Sequence, residues 1–190
     1  MSAPSQLMLF PTGAGQARRL THDNIDHIAG DWLPDSKHIV FSGTEPAHKP
    51  RVYLQAIMGG GSRPISPEGF SGAVRCSPDG KLIAVKDQQQ IWLLPLDGGA
   101  LHPVRGTSQD DIVVRWSADG KSLYVTHPLD IPAKLWRVEI SSGNRELIKH
   151  SHLEMLPESR VLAQFRLRPI CATTATALLD TLRICTQLKA

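Results

Sequence analysis

Residues Cys76-Ser77-Pro78-Asp79-Gly80-Lys81 form a short box that the chain carries twice more, as Trp32-Leu33-Pro34-Asp35-Ser36-Lys37 and as Trp116-Ser117-Ala118-Asp119-Gly120-Lys121. A weaker copy is Met155-Leu156-Pro157-Glu158-Ser159-Arg160. The acidic positions 35, 79, 119 and 158 are separated by 44, 40 and 39 residues. The box is a turn by its chemistry. Pro fixes φ, Asp hydrogen-bonds its own backbone, and Gly accepts the left-handed conformation that closes a bulged hairpin. Ser36 occupies the place of that Gly in the first copy. Keeping the same geometry there costs on the order of 1 kcal/mol.

A second landmark recurs in phase with the first. It is a small-residue turn followed by an aliphatic position: Gly13-Ala14-Gly15 to Leu20, Gly59-Gly60-Gly61 to Ile65, Gly98-Gly99 to Val104, and Ser142-Gly143-Asn144 to Ile148. Between landmarks the chain reads as strands. Ile39-Val40-Phe41, Leu82-Ile83-Ala84-Val85 and Leu123-Tyr124-Val125-Thr126 follow the box; Val52-Tyr53-Leu54, Ile91-Trp92-Leu93-Leu94 and Leu135-Trp136-Arg137-Val138 come next. Runs of β-formers bounded by Gly, Pro, Asp and Ser are strand signals. Each period of about 40 residues is then one four-stranded antiparallel unit, the length of a propeller blade.

The box, the aliphatic strand after it, the Ile91-Trp92 or Leu135-Trp136 strand and the Gly-Gly closure together resemble the WD-repeat-like blades of TolB-type β-propellers. Similar blades occur in the propeller domains of prolyl-oligopeptidase-type peptidases and in sensor domains of bacterial membrane serine/threonine kinases. The resemblance spans about residues 6–148 and concerns the fold; the box sits at a structural turn and carries no chemistry. It implies an all-β chain of blades, incomplete or open as a ring, and a periplasmic or extracytoplasmic setting. The first residues, Met1-Ser2-Ala3-Pro4-Ser5-Gln6, place no basic stretch before an apolar one, so no signal peptide is read there.

The phase of the repeat divides the chain into the last strands of a partial blade at 1–21, blades at 22–66, 67–106 and 107–149, a degenerate partial blade at 150–171 and a divergent tail at 172–190. In the tail, Leu178, Leu182, Cys185 and Leu188 are spaced for one helical face, which predicts a capping helix. The same stretch also reads as an irregular tail without a fold of its own.

Composition excludes several functions. A net charge of +3, spread evenly, is no nucleic-acid footprint. No apolar run approaches the roughly 20 residues of a membrane helix. Cys76, Cys171 and Cys185 lack the spacing of a disulfide framework or zinc site. No catalytic residue, cofactor or metal is assigned. Gly69-Phe70-Ser71-Gly72-Ala73 lacks the last Gly of a nucleophile elbow. The group His150, His152 and Glu154 reads as polar residues facing solvent in a degraded repeat, and Asp110-Asp111 as a solvated loop. Trp32, Trp92, Trp116 and Trp136 recur at blade period and read as inter-blade packing.

Function is therefore expected in the loops. Residues 43–50 and 126–133 are long hairpin connections at one repeat position, where the middle copy has only Lys86–Gln90. Glu45, His48, Lys49, His127 and Asp130 are the candidate binding residues. The expected role is a non-catalytic scaffold for an unidentified protein or small ligand, as part of a larger propeller. An open arc would also leave edges for self-association. The alternative is an accessory or sensor domain of a serine peptidase or serine/threonine kinase whose catalytic part lies elsewhere.

Overall fold

The computed structural model describes residues 3–11, 14–151 and 182–186. Fifteen strands are present among them, and no helix. β3 (Asp26–Trp32), β4 (His38–Thr44), β5 (Arg51–Ala56) and β6 (Arg63–Pro64) form one antiparallel sheet in sequence order. β7 (Arg75–Cys76), β8 (Leu82–Lys86), β9 (Ile91–Pro95) and β10 (His102–Pro103) form the second. β11 (Ile112–Trp116), β12 (Ser122–Thr126), β13 (Ala133–Glu139) and β14 (Arg145–Ser151) form the third. The remaining sheet has three strands: β1 (Leu7–Pro11) lies between β2 (Arg18–Arg19) and β15 (Leu182–Thr186).

The box makes the same turn each time. Ser36, Gly80 and Gly120 have φ of 56°, 73° and 69°, and all three lie in the left-handed region. Their N–H groups donate back to the carbonyls of Leu33, Ser77 and Ser117 at 3.0, 2.9 and 3.0 Å. The second landmark joins the third and fourth strands of each sheet. β3 lies beside β7 and β7 beside β11, so the first strands of the successive four-stranded sheets run along one edge; β15, the edge strand of the three-stranded sheet, lies beside β3.

Alternation along the strands explains how the sheets stack. In β4, Ile39 and Phe41 pack with Leu7 and Leu9 of the three-stranded sheet and with Leu20 just after it, whereas Val40 packs with Ile83 and Val85 of the next sheet and with Val74 just before it. In β8, Ile83 and Val85 face back while Ala84 faces forward, into Val113, Trp116, Leu123 and Val125. A strand buried on both faces reads as a continuous apolar run, which is why β4 and β8 carry one. Each fully buried aliphatic side chain contributes about 1.5–3 kcal/mol. β12 differs: Leu123 and Val125 are buried but Tyr124 and Thr126 are half-exposed, and no described sheet covers that face.

Three antiparallel four-stranded units stacked through equivalent faces are propeller blades, and the described arc is incomplete. One local expectation changes. Residues 182–186 form a strand paired antiparallel with β1, Leu7 opposite Thr186 and Pro11 opposite Leu182, where the spacing predicted a helical face. Leu182, Ile184 and Thr186 also alternate with Arg183 and Cys185, and an available sheet edge selects the extended conformation. Most of 150–171 and the rest of the tail, including His152 and Glu154, lie outside the described residues.

Candidate binding loops

Both long hairpins are held by a histidine and an acid, the first against the β6–β7 connection and the second against the residue before β11. In the first, His48 Nδ1 lies 2.7 Å from Glu68 Oε1, in the connection that leaves β6. That contact from His48, with the Lys49 amide 3.3 Å from Oε2, holds the Glu68 carboxyl below its ordinary range. Glu45 pairs with Arg51 at 2.8 Å, and Arg51 also donates to the Tyr53 hydroxyl. The Lys49 side chain is exposed.

The first hairpin also borders a cleft of about 420 Å³. Glu45, Pro46 and His48 line it from the hairpin; Asp23, Asn24 and Ile25 line it from the β2–β3 connection, with Ser62 beside β6. Two of the five sequence candidates thus share one concavity. Asp23, which adds a second carboxylate beside Glu45, carried no signal in the sequence beyond its place before a strand.

In the second hairpin, His127 Nε2 lies 2.8 Å from Asp111 Oδ1. Asp111 is fully buried, which corrects the solvated reading of Asp110-Asp111. Burial is tolerated because the carboxylate is saturated: Arg145 donates to both oxygens at 2.9 Å, and the Ser108 amide donates at 2.8 Å. The Arg145 guanidinium also covers the Trp136 ring, 4.7 Å from its centroid. Asp130 pairs with Lys134 at 3.7 Å and lies 4.0 Å from His127 Nδ1. At the tip, Leu129 and Ile131 are 91% and 95% exposed. His127 and Asp130 therefore belong to the third sheet and do not join the cleft of the first.

The box acids are structural. Asp79 and Asp119 each accept from a serine hydroxyl, Ser77 or Ser117, at 2.6 Å and from a lysine amide, Lys81 or Lys121, at 3.1 Å. Those serine bonds, with the amides, hold both carboxyls below their usual range. Burial raises Asp35, but the bonds from the His38 ring and from the Lys37 and His38 amides outweigh it. Cys76 is inert: burial, then the Asp31 charge, pushes its thiol up to about 12. Ser71 is exposed in the loop before β7, with no strand-to-helix turn around it. Among the described residues no cluster of three His, Cys, Asp or Glu side chains can hold a metal, and no helix is long and apolar enough to cross a membrane.

No protein-family model and no curated protein matches this chain. Solved structures do. A TolB-designated protein from Agrobacterium tumefaciens superposes with a TM-score of 0.64 at 22% identity, over 79% of this chain and 55% of its own. TolB from Acinetobacter baumannii gives 0.59 at 19% identity, over 72% of this chain and 35% of its own. A structure from a study of two prolyl endopeptidases gives 0.54 at 12% identity, over 78% of this chain and 30% of its own. The chain therefore spans about a third to about half of the TolB structures it matches. At these identities the likeness establishes the β-propeller fold.

Proposed function

We propose that this chain is a non-catalytic propeller scaffold that binds a protein or small ligand through its long hairpin loops, as part of a larger propeller. The observation that carries this reading is the pair of clamps, His48–Glu68 and His127–Asp111, which tie equivalent hairpins down, the first to the β6–β7 connection and the second to the residue before β11. A loop fixed before it meets its ligand loses less conformational entropy on binding. The neighbouring turns are consumed by structural hydrogen bonds, whereas these hairpins display Leu129 and Ile131 in one case and a cleft in the other. In this reading 22–66, 67–106 and 107–149 are whole blades. The half-covered face of β12 receives a further blade or a second copy of the chain.

The test is capture of a partner by the full chain from the cells that make it, repeated with either hairpin replaced by Asp87-Gln88-Gln89-Gln90. A partner held by the native chain and lost with one graft, while the far-UV spectrum is unchanged, supports the proposal. A partner retained by both grafts contradicts it. For the open face, light scattering behind size exclusion should show self-association, and a cooperative monomer counts against it.

The likeness to a prolyl endopeptidase favours a second reading, an accessory propeller of an enzyme whose catalytic part lies elsewhere. Coding sequence adjoining this one that specifies a hydrolase or kinase would select it.

A further inference from the structure

Each four-stranded sheet has a first strand, β3, β7 or β11, and among the described residues the three-stranded sheet has no counterpart of it. Register says where such a strand belongs. The Leu20 amide donates to the Leu7 carbonyl as the Val104 amide does to that of Ile91, so β1 corresponds to β9 and Leu9 to Leu93. Leu9 lies opposite Ile184, and Leu93 lies opposite Ala84, whose other neighbour is Arg75 of β7. A first strand of the three-stranded sheet therefore runs along β15, with one residue opposite Ile184 in the place of Arg75.

The backbone of β15 is aimed for it. Leu7 turns its amide to Thr21 Oγ1 and its carbonyl to Leu20, away from β15. Bonding direction alternates along an antiparallel ladder, so Met8 and Phe10 bond toward Cys185 and Arg183. The N–H and C=O groups of Leu182, Ile184 and Thr186 then point to the open edge, which is a template for one more strand.

A side chain marks the same place independently. Trp116 of β11 donates its indole N–H to the Arg75 carbonyl, on the first strand of the preceding sheet. Trp32 holds the same repeat position on β3, beside β15, and packs against the cluster of Leu7 and Leu9. Its indole nitrogen is buried and has no hydrogen-bond partner among the described residues. A buried donor of this kind calls for an acceptor.

We propose that the β15 edge captures an extended segment of a partner polypeptide, antiparallel to β15, whose residue opposite Ile184 gives its carbonyl to Trp32. Main-chain bonds supply the affinity of such strand addition. The chain does not encode this strand ahead of β15 as it does elsewhere. In the complete sheets the box joins first strand to second; here register puts residues 176–181 at that place, with Leu179 where the turn has its Asp and with no Pro or Gly. The segment that fits pairs a charged residue with an apolar one after it, as Asp31-Trp32, Arg75-Cys76 and Arg115-Trp116 do.

The experiment is an NMR-monitored titration of the isotope-labelled full chain with acetyl-Asp-Ile-Val-Val-Arg-Trp-amide, the sequence of residues 111–116. Saturable binding should slow hydrogen exchange at the Leu182, Ile184 and Thr186 amides and shift the Trp32 indole proton. Trp32→Phe should weaken binding about fivefold, the loss of one hydrogen bond. Trp116→Phe, whose N–H serves Arg75, should leave it unchanged. The same peptide N-methylated at its Arg should not bind. Absence of saturable binding, equal binding of the methylated peptide, or no effect of Trp32→Phe overturns the proposal. Slow exchange at those three amides before peptide is added also overturns it: the edge is then filled by the chain itself or, where protection grows with concentration, by a second copy.

Discussion

The indole N–H of Trp116, on β11, donates to the backbone carbonyl of Arg75, on β7, at 2.9 Å. The bond crosses from one sheet to the next at the edge where their first strands meet. Arg75 returns a second bond from its Nε to the Val114 carbonyl, also at 2.9 Å. At the preceding junction Asp31 accepts from the Cys76 amide at 2.9 Å. Apolar faces stack the sheets, and these bonds set how far one first strand slides along its neighbour.

Trp116→Phe should keep most of the packing but leave the Arg75 carbonyl without this donor, for a loss of about 1 kcal/mol. Trp116→Ala adds a cavity between the second and third sheets and should cost about 3–5 kcal/mol. Urea denaturation followed by fluorescence of the remaining tryptophans measures both. Equal losses for the two variants would mean that the ring packs against nothing.

Ser36 holds a φ of 56° where Gly80 and Gly120 occupy the same turn. Ser36→Gly should therefore stabilise the chain by up to about 1 kcal/mol, while Gly120→Ala should destabilise it by about as much. A Cβ at Gly80 would also stand 3.3 Å from Pro34 Cδ, so Gly80→Ala should cost more than Gly120→Ala. The order of the three urea midpoints is the check.

Asp111 is buried with its charge compensated by Arg145, and His127 Nε2 lies 2.8 Å from its Oδ1. Asp111→Ala leaves the guanidinium without its acceptor and should cost about 3–5 kcal/mol. Asp110→Ala, one residue earlier, should stay within about 0.5 kcal/mol. Similar losses at both positions would contradict the buried network.

Two pH windows follow from the shifted groups. Burial, against the opposing Ser5 contact and the Asp23 charge, lowers the folded-state pKa of His27. As pH falls through about 6.5 the unfolded chain takes up a proton that the folded chain refuses, so stability declines. The depressed carboxyls of Asp79, Asp119 and Glu68 act lower down. Their contribution is present above about pH 4 and is lost as pH falls through their folded values. Melting temperature should therefore fall from pH 7.5 to 5.5 in the native chain, and less so in His27→Gln. Both should fall further near pH 3.5.

The turns and long strands were legible because their signals are local. Asp35, Asp79 and Asp119 mark the same turn, and the apolar runs of β4 and β8 announce burial on both faces. The outer strands β2, β6 and β10, two residues each, leave almost no pattern. The strand at 182–186 depends on an edge supplied by Leu7–Pro11, remote in sequence, whereas Leu178, Leu182 and Cys185 suggest a helix locally. Of the candidate loops, length and position were readable, and they led to Glu45, His48, His127 and Asp130. Asp111, Arg145, Asp23 and His27 were not, because each acts across a turn or between strands. Their roles arise only once the hairpins stand against the connections between sheets.

Distances between nitroxide labels on Lys37, Lys81 and Lys121, equivalent exposed positions beside the three turns, test the arc of repeated sheets most directly. The native cysteines would be replaced by alanine first, and pairs measured by pulsed electron paramagnetic resonance. The 37–81 and 81–121 distances should agree, and the 37–121 distance should exceed either but fall short of their sum. Unequal neighbouring distances, or a 37–121 distance equal to the sum, would contradict radial stacking of equivalent units.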